Sequence, residues 1–209
     1  IEQTKQNVPV LQADGFVEAG GVLLTTYWSG VVDAWDLAHL GPTPHGLTEV
    51  SGLRATELDA LRPGLSNGMR LTDGTTYQVT ELCGLVDCKG AETEAVYTGD
   101  WYAGQPCLTR HAYGAGEAWY LAAQVEQAGL NALYARLAEK AGLPKAMEER
   151  LPQGVVAVDR GGVIFLQNYA GEARRVTLLR PYEELISGKT LSGETELPVC
   201  AVLVLRPLE

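Results

Sequence analysis

The stretch FVEAGGVLLTTY, residues 16–27, runs from a helix-like segment through two glycines into an uninterrupted apolar run. Phe16-Val17-Glu18-Ala19 followed by Gly20-Gly21 matches a helix end, where the left-handed residue past the last turn is best supplied by glycine. Val22 to Tyr27 is rich in β-formers and does not alternate, the pattern of a parallel strand covered by helices on both faces. Helix, glycine pair and buried strand together predict an α/β unit.

The residues that follow, TTYWSGVVDAWD at 25–36, set aromatic and acidic side chains just past a strand end, where α/β proteins bind their ligands. Asp33 and Asp36 are candidate paired acids if this loop turns helical. Glycoside hydrolysis needs two carboxyls about 5 Å or about 6.5–9.5 Å apart. The competing role for both is turn or cap fixation. Trp28 and Trp35 bury large areas, which suits a core or an interface.

Two prolines at 42 and 44 exclude regular structure there. His45 to Gly52 suits a short helix, and Leu53 to Leu61 an extended segment. From Arg62 onward the texture becomes antiparallel β, with tight-turn signals at Asn67-Gly68 and Asp73-Gly74 and short runs at Met69–Leu71, Thr76–Thr80, Leu82–Val86 and Glu92–Tyr97. These read as an insertion or a sheet edge. Cys107–His111 and Ala118–Ala122 form a hairpin about the turn Tyr113–Gly116. Glu126 to Ala141 is a helix with Leu130, Leu133, Tyr134 and Leu137 on one stripe, ended by Gly142 and Pro144. A charged stretch flanked by prolines follows. Beyond it, Val155–Arg160, Val163–Asn168, Arg174–Leu179 and Ala201–Arg206 are short strands of a small all-β module.

The 209 residues are 46% apolar and 20% charged, ordinary for a globular protein, with a net charge of −10. That charge argues against nucleic acid and anionic membrane surfaces as partners. No apolar run is long enough for a membrane span. The start carries no Met and no signal-peptide pattern, so a cytoplasmic piece of a longer or processed chain is expected. The cysteines at 83, 88, 107 and 200 lack zinc-knuckle spacing and read as free thiols, Cys107 and Cys200 within strands; neither metal nor cofactor is expected. There is no G-x-S-x-G elbow, P-loop or dinucleotide fingerprint. Cys107 and His111 lie about 13 Å apart on one strand, too far for a thiolate–imidazole pair.

Two blocks carry a resemblance. Phe16 to Asp33, continuing through Leu37-Ala-His-Leu-Gly41, and Gly99-Asp-Trp-Tyr-Ala-Gly-Gln-Pro-Cys-Leu-Thr-Arg-His-Ala-Tyr-Gly-Ala-Gly-Glu-Ala-Trp-Tyr120 resemble the non-catalytic middle domain of family 42 glycoside hydrolases, the bacterial β-galactosidases. The resemblance spans roughly residues 13 to 145. It implies a catalytic TIM barrel elsewhere, then a flavodoxin-like or class I amidotransferase-like α/β domain that builds a homotrimer, then a small antiparallel domain. The barrel needs about 250 residues and does not fit here.

The resemblance sets the expected organisation. Residues 1–145 would be a trimerisation-type α/β domain lacking its first strands, and 146–209 a small antiparallel β domain. Residues 1–12 would be a linker or barrel-derived. Glu2, in Ile1-Glu-Gln-Thr-Lys-Gln-Asn-Val8, matches the family's nucleophile segment weakly, either through loss of a long stretch or by chance. Trp28, Asp33, Trp35, Asp36, Trp101 and Tyr102 are the interface candidates. A galactoside would be bound only by a whole enzyme. Two other readings stay open: a carbohydrate-binding module stacking sugars on Trp28, Trp35, Trp101 and Tyr102, and an amidotransferase-like enzyme.

Overall fold

The computed structural model describes residues 10–208, so Glu2 lies outside the described residues. The chain divides into two compact units between Gly142 and Leu143. In the first, α1 (Val10–Glu18) leads through Gly20 at φ 108° into β1 (Val22–Thr26). A long loop reaches α2 (Thr48–Ser51) and β2 (Leu53–Ala60). The strands β3 (Asn67–Leu71), β4 (Thr76–Cys88), β5 (Glu92–Tyr97), β6 (Pro106–Tyr113), β7 (Gly116–Leu121) and β8 (Ala123–Val125) follow, and α3 (Gln127–Lys140) ends the unit.

The helix, the glycine pair and the strand are where the sequence puts them, but the α/β architecture is not. The sheet runs β1-β7-β6-β5-β3-β4-β2, and only β1 with β7 is parallel. The remaining ladders are antiparallel. The flavodoxin-like, amidotransferase-like expectation is therefore overturned. The strands that read as an insertion form the body of the unit, and β1 is a half-buried strand appended to it.

What holds that body together is closure. β8 continues β7 past Ala122 and pairs with β4, which also pairs with β3, so the hydrogen-bonded path returns on itself. Met69, Val79, Cys83, Tyr97, Cys107, Leu108, Trp119 and Leu121 fill the interior, with Leu133 and Leu137 of α3 packed on them. At the crossing, the Gly84 N–H donates to the Ala122 carbonyl at 2.6 Å, and the Tyr97 hydroxyl donates to the carbonyls of Gly84 and Ala122 at 2.9 and 3.3 Å. A Cβ on Gly84 would sit 2.8 Å from the Ala122 oxygen, so only glycine lets the strands approach this closely.

Two details differ from the sequence reading. Asn67-Gly68 is not a turn: both residues lie in β3, opposite Val79 and Gln78. The runs at 76–80 and 82–86 are one strand, bent at Glu81, whose φ is 60°. Asp73-Gly74 does turn, with Asp73 Oδ1 accepting the Thr75 N–H at 2.8 Å.

The second unit is a five-stranded antiparallel sheet, ordered β12-β11-β13-β10-β9. Its strands are β9 (Val155–Arg160), β10 (Val163–Asn168), β11 (Arg174–Glu184), β12 (Lys189–Leu197) and β13 (Val202–Pro207). The sequence reading missed β12, whose KTLSGETEL offers little apolar signal. Cys200 is exposed at φ 58° in the turn before β13, not in a strand. Ile164, Leu166, Val176, Leu178, Tyr182, Leu197 and Leu205 form the core. Buried Asn168 ties the strand ends together by donating to the carbonyls of Glu172, Leu197 and Pro198.

Buried Glu184 accepts the N–H groups of Ser187, Ile186 and Val204. The Ser187 hydroxyl and N–H, with the backbone N–H groups of Ile186 and Val204, hold its carboxyl down to about 2.

Two measurements follow from this packing. Gly84→Ala forces the β4–β8 crossing apart and is expected to cost about 1–3 kcal/mol in urea unfolding; an unchanged midpoint would contradict the closure. Because the folded form of Glu184 resists protonation, its stabilisation is complete above the ordinary carboxylate range and is lost as pH falls toward 2. Glu184→Gln should flatten acid unfolding of the second unit between about pH 4.5 and pH 2.

Candidate interaction surface

The loop between β1 and α2 has almost no regular structure, yet it is tightly held. Tyr27 extends the parallel edge by donating its N–H to the Leu121 carbonyl at 2.9 Å. Ser29 closes a turn in both directions: its N–H donates to the Thr26 carbonyl and its Oγ accepts the Thr26 N–H. Val32 and Ala38 form a bridge, flanked by His39 N–H to Val31 O and Asp33 N–H to Leu37 O. Asp33 sits at the centre. Its Oδ1 accepts the N–H groups of Trp35 at 2.8 Å and Leu37 at 3.0 Å, and these two bonds, Leu37 foremost, hold its carboxyl below the ordinary range.

Asp33 is thus the turn-fixing group and not one of a helical acid pair. Asp36 lies at φ 62° at the tip, its N–H donating to the Asp33 carbonyl. The far side is pinned by His39 stacked on His45, ring centroids 3.9 Å apart, and by His45 N–H to Gly30 O at 2.9 Å. Gly30 adopts φ 60° and has the His45 backbone 2.7 Å from where a Cβ would stand.

This rigid frame displays apolar side chains to solvent. Trp28 is 67% exposed, Trp35 79%, Leu37 64% and Leu40 98%. A cavity of about 220 Å³ opens beside Trp28, walled by Tyr27, Val31, Ala55, Leu58 and Tyr120. The sequence reading picked out both tryptophans but not Leu37 and Leu40 as surface groups. Their signal was an apolar pair at 37 and 40 in a segment too rich in glycine and proline to bury it.

The second pair of aromatic candidates splits. Trp101 is 73% exposed, whereas Tyr102 is buried in the first core at 1%. Tyr102 stands edge-on to Tyr97 at 5.0 Å and donates its hydroxyl to Asp59 Oδ2 at 2.7 Å. Its ring is a core element and offers no surface to a sugar or a subunit.

The fourth tryptophan, Trp119, is fully buried. Its Nε1–H donates to Glu117, and Arg136 lies 4.7 Å over its ring. Arg110 pairs with Glu92, Glu94 and Glu117, while Arg136 and Lys140 of α3 pair with Glu94 and Glu117. Glu94 and Glu117 therefore hold α3 to the sheet, while Glu92 is paired with Arg110 of the neighbouring strand.

Cys107 and His111 do not form a nucleophile pair. Cys107 is buried in the first core, and burial pushes its thiol well up, away from the reactive thiolate. Nδ1 of His111 is bonded instead to the Val50 carbonyl at 2.8 Å. Among the described residues, no group of three or more His, Cys, Asp or Glu side chains is placed to hold a metal ion. No described helix is long and apolar enough to cross a membrane.

The model of the β-galactosidase trimerisation domain matches residues 6–144. β-Galactosidase BglY of Alicyclobacillus acidocaldarius is 42% identical over 201 residues, 91% of this chain and 29% of that protein. β-Galactosidase Pbg of Clostridium perfringens is 34% identical over 202 residues, again 91% of this chain and 29% of the relative. The crystal structure of the Rahnella sp. R3 β-galactosidase superposes with a TM-score of 0.87 at 32% identity, over 97% of this chain and 31% of that one. That of the Bacillus circulans enzyme gives 0.85 at 32% identity, over 95% and 31%. The β-rich arrangement, not an amidotransferase-like layer, is what these structures share with the chain. It spans under a third of the relatives it matches.

Asp33→Ala removes the acceptor that two amides share, so amide exchange at Trp35 and Leu37 should accelerate while the strands of the first unit stay protected. Unchanged exchange at both amides would show that the bridge alone holds the loop. By the match over residues 6–144 and the identity to its relatives, the chain belongs to the β-galactosidase trimerisation-domain family.

Proposed function

We propose that these residues form the non-catalytic, assembly-forming part of a longer β-galactosidase, which hydrolyses terminal β-D-galactosides as a homotrimer through a catalytic domain outside them. In this reading the first unit makes the subunit contact and the second is a small accessory β domain. The observation that carries it is the rigid loop displaying Trp28, Trp35, Leu37 and Leu40.

Four large apolar side chains exposed on one short loop mark a contact site, and tryptophans are the residues on which interface energy concentrates. Each indole buries on the order of 150–250 Å², so two supply a large share of the roughly 800 Å² a standard interface takes from one partner. A ring of three needs two different surfaces per copy, because its contacts are head-to-tail. The cavity beside Trp28, and Trp101 on a separate loop, supply further features for such a contact. Four free cysteines among the described residues suit a reducing cytoplasm.

Sedimentation equilibrium tests the assembly. The unaltered chain should sediment as a trimer, and Trp28→Ala with Trp35→Ala should weaken association by at least about 30-fold, the equivalent of one 2 kcal/mol hot spot. A chain that stays monomeric at every concentration would refute the reading. A double variant that assembles like the parent would move the contact away from this loop.

A further inference from the structure

On another loop cluster of the first unit, a cavity of about 550 Å³ opens between the 61–66 connection, the start of β4 and the turn at 98–100. A second, of about 400 Å³, shares Leu61, Leu65, Ser66 and Gln78 with it and adds Arg62 and Glu81. The larger of the two is the groove of interest. Its walls are fixed without a ligand. Asn67 Oδ1 accepts the N–H groups of Gly68 and Gly99 at 2.7 and 2.8 Å, and its Nδ2 donates to the Gly99 carbonyl at 3.0 Å. Tyr77 is braced from behind, since a Cβ on Gly129 of α3 would meet its ring at 2.9 Å.

The groups facing the groove define what it can hold. Ser66, the Gln78 amide and Thr98 have no side-chain hydrogen-bond partner among the described residues, and Asp100 commits only Oδ1, to the Trp101 N–H. They are neutral donors and acceptors with one carboxylate. No lysine or arginine lines the larger cavity, and Arg62 of the adjoining one is matched by Glu81 in the same lining, so no net positive charge favours an anion. Leu61, Leu65 and Tyr77 supply apolar surface between the polar groups. Exposed Trp101 follows directly on Asp100.

Alternating hydroxyl or amide groups and apolar surface, in a volume within the 300–1,000 Å³ of ordinary ligand sites, match a neutral polyhydroxylated molecule with C–H faces. We propose that this groove is a binding site for a short neutral oligosaccharide. It shares no lining residue with the cavity at the tryptophan loop, and it would hold a sugar chain on the assembly domain itself.

The test is titration of the isotope-labelled 209-residue protein with lactose and, separately, with cellobiose, followed by amide chemical shifts. Saturable shifts are expected at Ser66, Gln78 and Thr98–Asp100 with either sugar. Ser66→Ala with Gln78→Ala, both exposed side chains, should weaken binding about tenfold or more with the rest of the spectrum unchanged. Trp28→Ala with Trp35→Ala should leave the titration as it was, whatever it does to assembly. The proposal fails if these amides show no saturable shift up to about 50 mM sugar, far above the ~1 mM of a weak site near −4 kcal/mol. It also fails if the Ser66/Gln78 variant binds like the parent, or if the shifts fall on residues 27–45.

Discussion

The approach of β4 to β8 at Gly84 and Ala122 is the contact on which the first unit depends. A single stretch, residues 116–125, serves different partners along its length: β6 and β1 for the first part, β4 for the last. A strand can change partners only where it bends, and at the bend its peptide groups leave the regular ladder. Buried peptide groups without partners are costly. Here each is answered: the Ala122 N–H donates to the Cys107 carbonyl, and its carbonyl accepts from Gly84 and from Tyr97. Burial pushes the Tyr97 hydroxyl far up, so it stays a donor wherever the protein is folded. Without the missing Cβ of Gly84 or the reach of Tyr97, the sheet would open and expose the interior that Trp119, Leu108 and Met69 fill.

Closure also explains where function can reside. A sheet that encloses its own core needs little helical cover: α3 is clamped by the Arg136 and Lys140 pairs over the Trp119 end, and α1 and α2 add the small Val17–Val50–Ala118 cluster. The connections at 27–47, 61–66 and 98–105 then send few residues into the core, among them Leu47, Leu61 and Tyr102, and leave most of their other side chains outside. Those segments carry the exposed tryptophans and line the polar groove. In a fold whose loops covered the core, Trp28 and Trp35 would have been drawn inward.

What could be read from the sequence was local. The helix end at Gly20-Gly21, the 106–121 hairpin, α3 and the strands β9 and β10 follow from glycine placement and periodicity, and all are present. The architecture is not legible there, because one apolar run without alternation has the pattern of a central parallel strand whether or not a parallel sheet surrounds it. VLLTT lacks alternation, yet its five residues are only half-buried, so continuous apolarity here marks an appended strand, not a central one. The identity of Asn67-Gly68 as strand, the closure at Ala122 and the opposite fates of Trp101 and Tyr102 all depend on partners distant in sequence. No window of neighbouring residues contains them. Asp33 fared better: an aspartate two and four residues before the amides it caps is a short-range signal.

Asp33 and Asn67 solve the same physical problem at two places. Each offers one side-chain oxygen to two backbone N–H groups, Trp35 and Leu37 in one case, Gly68 and Gly99 in the other. A loop held in this way is ordered before anything binds to it. Association then forfeits little of the conformational entropy that a mobile loop would lose, and more of the contact energy remains as affinity. The arrangement also bears on why so much apolar surface is tolerated outside. A flexible loop bearing Trp28, Trp35, Leu37 and Leu40 would collapse onto the nearest apolar surface of its own chain. Fixed at Asp33, at the Val32–Ala38 bridge and at the His39–His45 stack, it cannot fold back, and its apolar groups stay available to another molecule.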